Sequence, residues 1–200
     1  MTSRDLALAV VRDVFPAGSR DGRGRGAHES FDYWARRSPL DARDRAFAAE
    51  LAYGSIKARR FLDWILAPYI GKRAQSLPPA IAEALRLGAY QLTRMAVPSR
   101  AAVNETTGLA KRHGHRGTAG LVNAVLRRIA EQDERARTPS PQAFDSGDDY
   151  LGTLYSFPTW IVSAVRNAFG DELLEPILRG MNEPPQRALR VNLLRTTPEK

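Results

Sequence analysis

The sequence predicts an all-α helical bundle over residues 1–137, a linker at 138–149, and from 150 to 200 a short α/β segment that begins a second, incomplete domain. Three observations predict this. Apolar residues recur at three- and four-residue spacing in segment after segment up to Arg137, and no stretch there alternates with the period of a half-buried strand. The connections are short, as in a helical bundle. Thr138–Asp149, read as TPSPQAFDSGDD, has the Pro, Ser, Gly and acid of a linker.

In order along the chain, Thr2 or Ser3 caps a helix to about Phe15, with Leu6, Val10 and Val14 as its apolar stripe. Pro16 and Gly18 stop it. Ser19–His28 alternates Gly with Arg and holds nothing apolar to order it, so it reads as a mobile loop, either touching RNA phosphates or simply solvated. Glu29–Arg37 is a short helix with Phe31, Tyr33 and Trp34, broken at Ser38–Pro39. Asp41 starts a longer pattern through Phe47, Leu51, Phe61, Leu62, Ile65, Leu66 and Tyr69, ending near Gly71. Gly54 inside it marks close packing or a bend. Pro79 lies in the first turn of the next helix, which holds Ile81, Leu85, Ala89 and Leu92. Ser99 is the expected cap of a helix with Val103, Thr106 and Ala110 inward, closing at Gly114.

Gly117–Thr118 opens the helix with the clearest pattern. Leu121, Val125 and Ile129 recur every four residues, with Val122 and Leu126 beside them. Asn123 and Arg127, also four apart, share a different stripe. Arg128 follows, and Lys111, Arg112, His113, His115 and Arg116 stand just upstream. One reading is a solvated basic face; the other is a helix facing RNA. Beyond the linker, Phe157–Pro158–Thr159–Trp160 leads a helix that Gly170 ends and Asp171 restarts. Arg187–Arg195, RALRVNLLR, alternates enough for a first strand. One strand and two small helices bury too little for a domain, so the chain is expected to stop early in its second unit.

Composition narrows the function. Of 200 residues, 43% are hydrophobic, enough for a core, and the formal net charge is +8. Residues 1–137 hold 24 Lys and Arg against 14 Asp and Glu, a net of +10, whereas the remainder is −2. A basic first unit favours polyanion partners. There is no cysteine, which removes disulfides, thiolate nucleophiles and Cys-based zinc sites. The amino terminus is no signal peptide and no apolar run approaches the roughly 20 residues of a membrane span, so a cytoplasmic protein without membrane contact is expected. Only His28, His113 and His115 are available, with no third ligand beside the close pair, and no metal is expected. Glu105 reads as a structural carboxylate, and Trp34, Trp64 and Trp160 as core.

Asp44–Arg45, Leu51–Gly54, Leu62–Asp63, Leu85–Leu92, Val103–Glu105 and Val122–Arg127 stand in the order and spacing of the NusB-like fold, which the chain resembles. Phe157–Trp160, Asn182–Pro185 and Leu189–Asn192 resemble the segment preceding the catalytic domain in Sun-type (RsmB-type) 16S ribosomal RNA cytosine-C5 methyltransferases. The Gly18–His28 loop is longer than usual for that family. The resemblance implies methyl transfer from S-adenosylmethionine to C5 of a cytosine, with one cysteine adding to C6 and a second assisting elimination. This chain has neither cysteine nor a Gly-rich cofactor turn. Gly22–Gly26 follows no strand, so no cofactor is assigned to the chain. It is therefore expected to be a fragment or a truncated product, inactive alone.

The expectation is an RNA-binding module that places 16S ribosomal RNA for its own missing methyltransferase domain. Arg4, Arg12, Lys111, Arg112, Arg127 and Arg128 are its candidate phosphate contacts. Asn123 is either an RNA contact or a structural amide. Two competing readings are a transcription antitermination factor that binds RNA and a ribosomal protein, and a structural module whose basic face docks on protein.

Overall fold

The computed structural model of the chain describes residues 1–17, 24–71, 76–133, 136–184, 190–192, 195 and 197. Among them run α1 (Ser3–Val14), α2 (Ala27–Arg36), α3 (Ala42–Lys57), α4 (Arg59–Ile70), α5 (Pro79–Arg94), α6 (Ser99–His113), α7 (Arg116–Glu131), α8 (Gly147–Leu154) and α9 (Thr159–Asn182). Residues 18–23, most of the Gly/Arg loop, lie outside the described set.

α1 sits at the centre of the first seven helices and packs on α2, α3, α5 and α6. Thr2 caps it: its hydroxyl accepts from Asp5 N, and the Asp5 carboxylate accepts from Thr2 N at 2.8 Å. Leu6, Ala7, Leu8, Val10 and Val11 are all buried, so the helix is apolar on most sides rather than along one stripe. α5 is the second interior helix. Its buried Gln91 is fully used: Nε2 donates to Leu87 O at 3.0 Å and Thr106 Oγ1 at 3.2 Å, and Oε1 accepts from Arg4 Nε at 2.8 Å.

Gly54 marks close packing, not a bend. α3 runs straight past it, and a Cβ there would collide with the Tyr90 hydroxyl. That hydroxyl donates to Glu50 Oε1 at 2.8 Å, and burial together with Glu50 pushes its pKa well up. The pattern expected to continue from Asp41 to Gly71 is instead two helices, α3 and α4, meeting at Ala58 (φ −87°, ψ 11°). The cause lies outside the local sequence. The first amides of α4, Arg60 N and Phe61 N, donate to Ser156 Oγ at 3.0 and 3.3 Å. Two cap assignments also change. Ser99 is the first helical residue of α6, after Pro98 and with no side-chain cap. α7 starts at Arg116 because the His115 ring caps it, accepting from Gly117 N at 3.2 Å.

The stretch read as a linker is structured among its described residues. Pro141–Ala143 forms a 3-10 turn, and Ser146 caps α8, which starts at Gly147. α8 and α9 share a small core of Val162, Leu174 and Leu178, with Leu151, Tyr155, Phe157 and Val165 against it. α9 is interrupted at Gly170, whose φ of 79° favours glycine, where the sequence places a stop. Trp160 is not core. It is 71% exposed, because it lies two residues, about 200° of helix, from the buried Val162. Trp34 and Trp64 do pack on the main core. Of the expected strand Arg187–Arg195, residues 187–189, 193 and 194 lie outside the described set, and residues 190–192 are not in a strand.

Arg60, in the first turn of α4, joins the two units. Its guanidinium makes five hydrogen bonds: Nε to Thr153 Oγ1, one terminal nitrogen to Phe157 O and Thr159 Oγ1, the other to Asp149 O and Oδ1, at 2.8–3.2 Å.

Candidate nucleic-acid interface

α6 and α7 form a helical hairpin turning at Gly114–His115. Val122, Val125, Leu126 and Ile129 are buried in the core, with Leu121 partly buried against it, so the rotation of α7 is fixed. The outward side then follows from helical spacing. Arg116, Gly120, Asn123 and Arg127 form one stripe on α7; Arg100, Asn104, Thr107 and Lys111 form another on α6.

The stripes bound two adjoining clefts. One of about 990 Å³ is lined by Thr107, Lys111, His115, Arg116 and Gly120, among others. The second, of about 490 Å³, has Arg100, Arg127 and Glu131 in its lining. Asn104 and Asn123 line both. Among the described residues, the side chains of Arg100, Lys111, Arg116 and Arg127 make no hydrogen bond or ion pair. Thr107 Oγ1 is buried without a partner. Four free cations around two carboxamides offer phosphate contacts, with amide donors and acceptors between them.

The structure thus brings Lys111, Asn123 and Arg127 together. Arg128 is exposed but lines neither cleft, being about 100° round α7 from Arg127. Arg12 is exposed on α1, away from both clefts. Arg4 and Arg112 are committed elsewhere. Arg4 donates to Gln91, lies over the Phe47 ring at 5.0 Å, and has its pKa lowered by burial against the opposing pull of Glu105. Arg112 is bound to Asp5 Oδ1 at 3.0 Å. Burial alone would raise the Asp5 pKa, but the hydrogen bonds from Thr2 and Arg112 outweigh it and hold it below the usual range. Glu105 is exposed on α6. Sequence reasoning missed Arg100, Asn104, Thr107 and Arg116, although the i, i+4, i+7, i+11 spacing of polar residues on both helices is the signal that finds them.

Among the described residues no helix is long and apolar enough to cross a membrane. No group of three His, Cys, Asp or Glu among them could hold a metal ion.

Residues 1–131 match the NusB family, and residues 157–200 match the RsmF/B-like methyltransferase ferredoxin-like domain. The chain is 30% identical to the probable ribosomal RNA small subunit methyltransferase B of Synechocystis, over 98% of its own length and 42% of the relative's. It is 38% identical to the ribosomal RNA small subunit methyltransferase B of Thermus thermophilus, over 92% and 39% of the two chains. The corresponding Bacillus subtilis protein is 37% identical over 78% and 34%. The chain thus spans about two fifths of the length of the curated relatives it matches. The crystal structure of PH0851 shares the fold, with a TM-score of 0.63 at 13% identity, over 90% of this chain and 39% of that one. With the NusB match spanning all seven helices of the bundle, the chain belongs to the NusB family.

Proposed function

We propose that this chain binds small-subunit ribosomal RNA in the α6–α7 clefts and places it for cytosine-C5 methylation by a methyltransferase domain, in the cytoplasm. The observation that carries the reading is the pair of facing stripes. They present four cations with no partner among the described residues around Asn104 and Asn123. Lys111, Arg116, Arg100 and Arg127 take phosphates. The two carboxamides meet base edges or ribose hydroxyls of unpaired RNA. Arg12 and Arg128 flank this grip; Arg4 and Arg112, tied to Gln91 and Asp5, act on it through packing.

The relatives' names support ribosomal RNA as the substrate class. The match of residues 157–200 supports a methyltransferase setting over a free antitermination factor. S-adenosylmethionine would supply the methyl group. The chain itself does not fit that cofactor or the thiolate step: it has no cysteine, and among the described residues no strand leads through a Gly-rich turn into a helix. Its own part is to bind and orient RNA.

The test is a salt titration of affinity for an unpaired ribosomal RNA segment. Lys111→Ala with Arg127→Ala should flatten log affinity against log salt by about 1.4, roughly 0.7 for each phosphate no longer neutralised. An unchanged slope with an unchanged melt would overturn the reading and leave a face that docks on protein.

A further inference from the structure

We propose that the junction between the bundle and the α8–α9 unit is a second contact for single-stranded RNA, where the Arg94 guanidinium takes a backbone phosphodiester. This rests on the RNA-binding reading and adds a site outside the α6–α7 clefts.

Arg94 stands in the last turn of α5, with its guanidinium carbon 4.3 Å from the centre of the Phe61 ring. Its partial burial lowers its pKa. It makes no hydrogen bond or ion pair among the described residues, whereas the other arginines around it are engaged. Arg60 makes its five bonds, Arg137 donates to the carbonyls of Leu92, Gln132 and Asp133, and Arg179 donates to Glu175 and Tyr155. Arg94 is therefore a cation held over an aromatic ring, with its side-chain donors unused among the described residues.

It stands between two clefts. One, of about 300 Å³, brings Arg94 and Arg137 together beside Thr93, Pro139 and Leu154, with no carboxylate among its described lining residues. The other, of about 490 Å³, adds Lys57, Tyr155 and Arg179 on the far side, with Glu183 at its edge. Two guanidinium groups on a cleft without a described carboxylate suit a phosphate, whose oxygens match the guanidinium fork. A guanidinium plane backed by Phe61, and the nearby Tyr155 ring, also offer stacking surfaces to an unpaired base. An acidic peptide would use the charge and leave those flat surfaces idle. Because the clefts are lined by α3, α4 and α5 of the bundle and by α8 and α9, a strand bound there touches both units.

The experiment uses the 200-residue chain and an unpaired RNA oligonucleotide. Arg94→Gln should weaken binding about fivefold and flatten the salt slope by roughly 0.7, the value for a single phosphate. Arg94→Lys should keep the slope. Four-thiouridine RNA should cross-link to peptides covering residues 150–157 of the unsubstituted chain, a readout that does not depend on a variant folding. An unchanged slope in Arg94→Gln with an unchanged melt, or no cross-link at the junction, overturns the proposal. So does competition by inorganic phosphate, cytidine monophosphate or a poly-glutamate peptide as strong as by RNA at equal phosphate or carboxylate concentration. Weaker binding in Arg94→Gln with no effect of Lys111→Ala and Arg127→Ala would sink the α6–α7 reading alone; the reverse would sink this one alone.

Discussion

Ser156 closes the amino-terminal end of α4, its hydroxyl accepting from Arg60 N at 3.0 Å across 96 residues of chain. It does so from a left-handed backbone, with a φ of 61°. The cap and the strained φ oppose one another, and substitutions separate them. Ser156→Ala keeps the strain and loses the cap, and should cost about 1 kcal/mol. Ser156→Gly loses the cap but relieves the backbone, so it should cost less. Urea melts followed by circular dichroism check the order; Gly worse than Ala would refute it.

Arg60→Lys should behave like a deletion of the side chain's role. A lysine cannot reproduce a planar fork that reaches five acceptors, and the carbonyls of Phe157 and Asp149 would go without their partner. Partial exposure of the site tempers the effect to roughly 2 kcal/mol. Hydrogen exchange should show α8 and α9 opening while α1, α5 and α7 stay protected. A uniform fall in protection from α1 to α9 would contradict it.

The α8–α9 unit should fail first in acid. Hydrogen bonds from Ser163 and then Arg166 hold the Asp148 pKa below its usual value; Thr159 and then Arg60 do the same for Asp149. A carboxylate whose folded pKa is depressed lends stability that is fully present above its unfolded value, about 3.9, and lost as pH falls through the folded value. Melts from pH 6 downward should therefore stay flat for this unit until about pH 4 and then fall. Asp148→Asn with Asp149→Asn should remove that acid slope.

Gly54→Ala tests close packing against helix preference. Alanine favours an exposed helix by up to about 1 kcal/mol. Here its Cβ meets the Tyr90 hydroxyl, so a net destabilisation of about 1–3 kcal/mol is expected. The ring carbon Cζ lies as close as the hydroxyl, so Tyr90→Phe should not relieve it, whereas Gly54→Ala combined with Tyr90→Ala should cost less than the sum of the two single changes. A thermal melt of these variants decides, and a stabilised Gly54→Ala would count against the close approach.

On the RNA side, Arg127→Ala should flatten the salt slope by about 0.7 and Arg128→Ala by less, since only Arg127 lines a cleft. Both should leave the melt within about 0.5 kcal/mol of the parent, as exposed substitutions do. Equal effects of the two on the slope would place the RNA across the outer side of α7 instead.

The helices were legible because burial writes itself into spacing: Leu121 to Ile129 named the inner face of α7 and, by exclusion, the outer one. What depended on distant partners was not. The break at Ala58 belongs to Ser156, and the withdrawal of Arg4 and Arg112 belongs to Gln91 and Asp5. Local sequence shows that an arginine is off the apolar stripe, not that a carboxamide or carboxylate elsewhere in the chain already holds it. Trp160 erred the other way: its apolar neighbours implied burial, but its angle round the helix set it outside.

The Arg60 knot has a metrical consequence. Its five bonds leave the α8–α9 unit little freedom to swivel about α4. If the proposed grip at Lys111 and Arg127 holds, an RNA strand leaving it would reach α9 over a constant span, as along a ruler. On the proposed reading, lengthening or shortening an RNA held at that grip would shift which nucleotide meets α9.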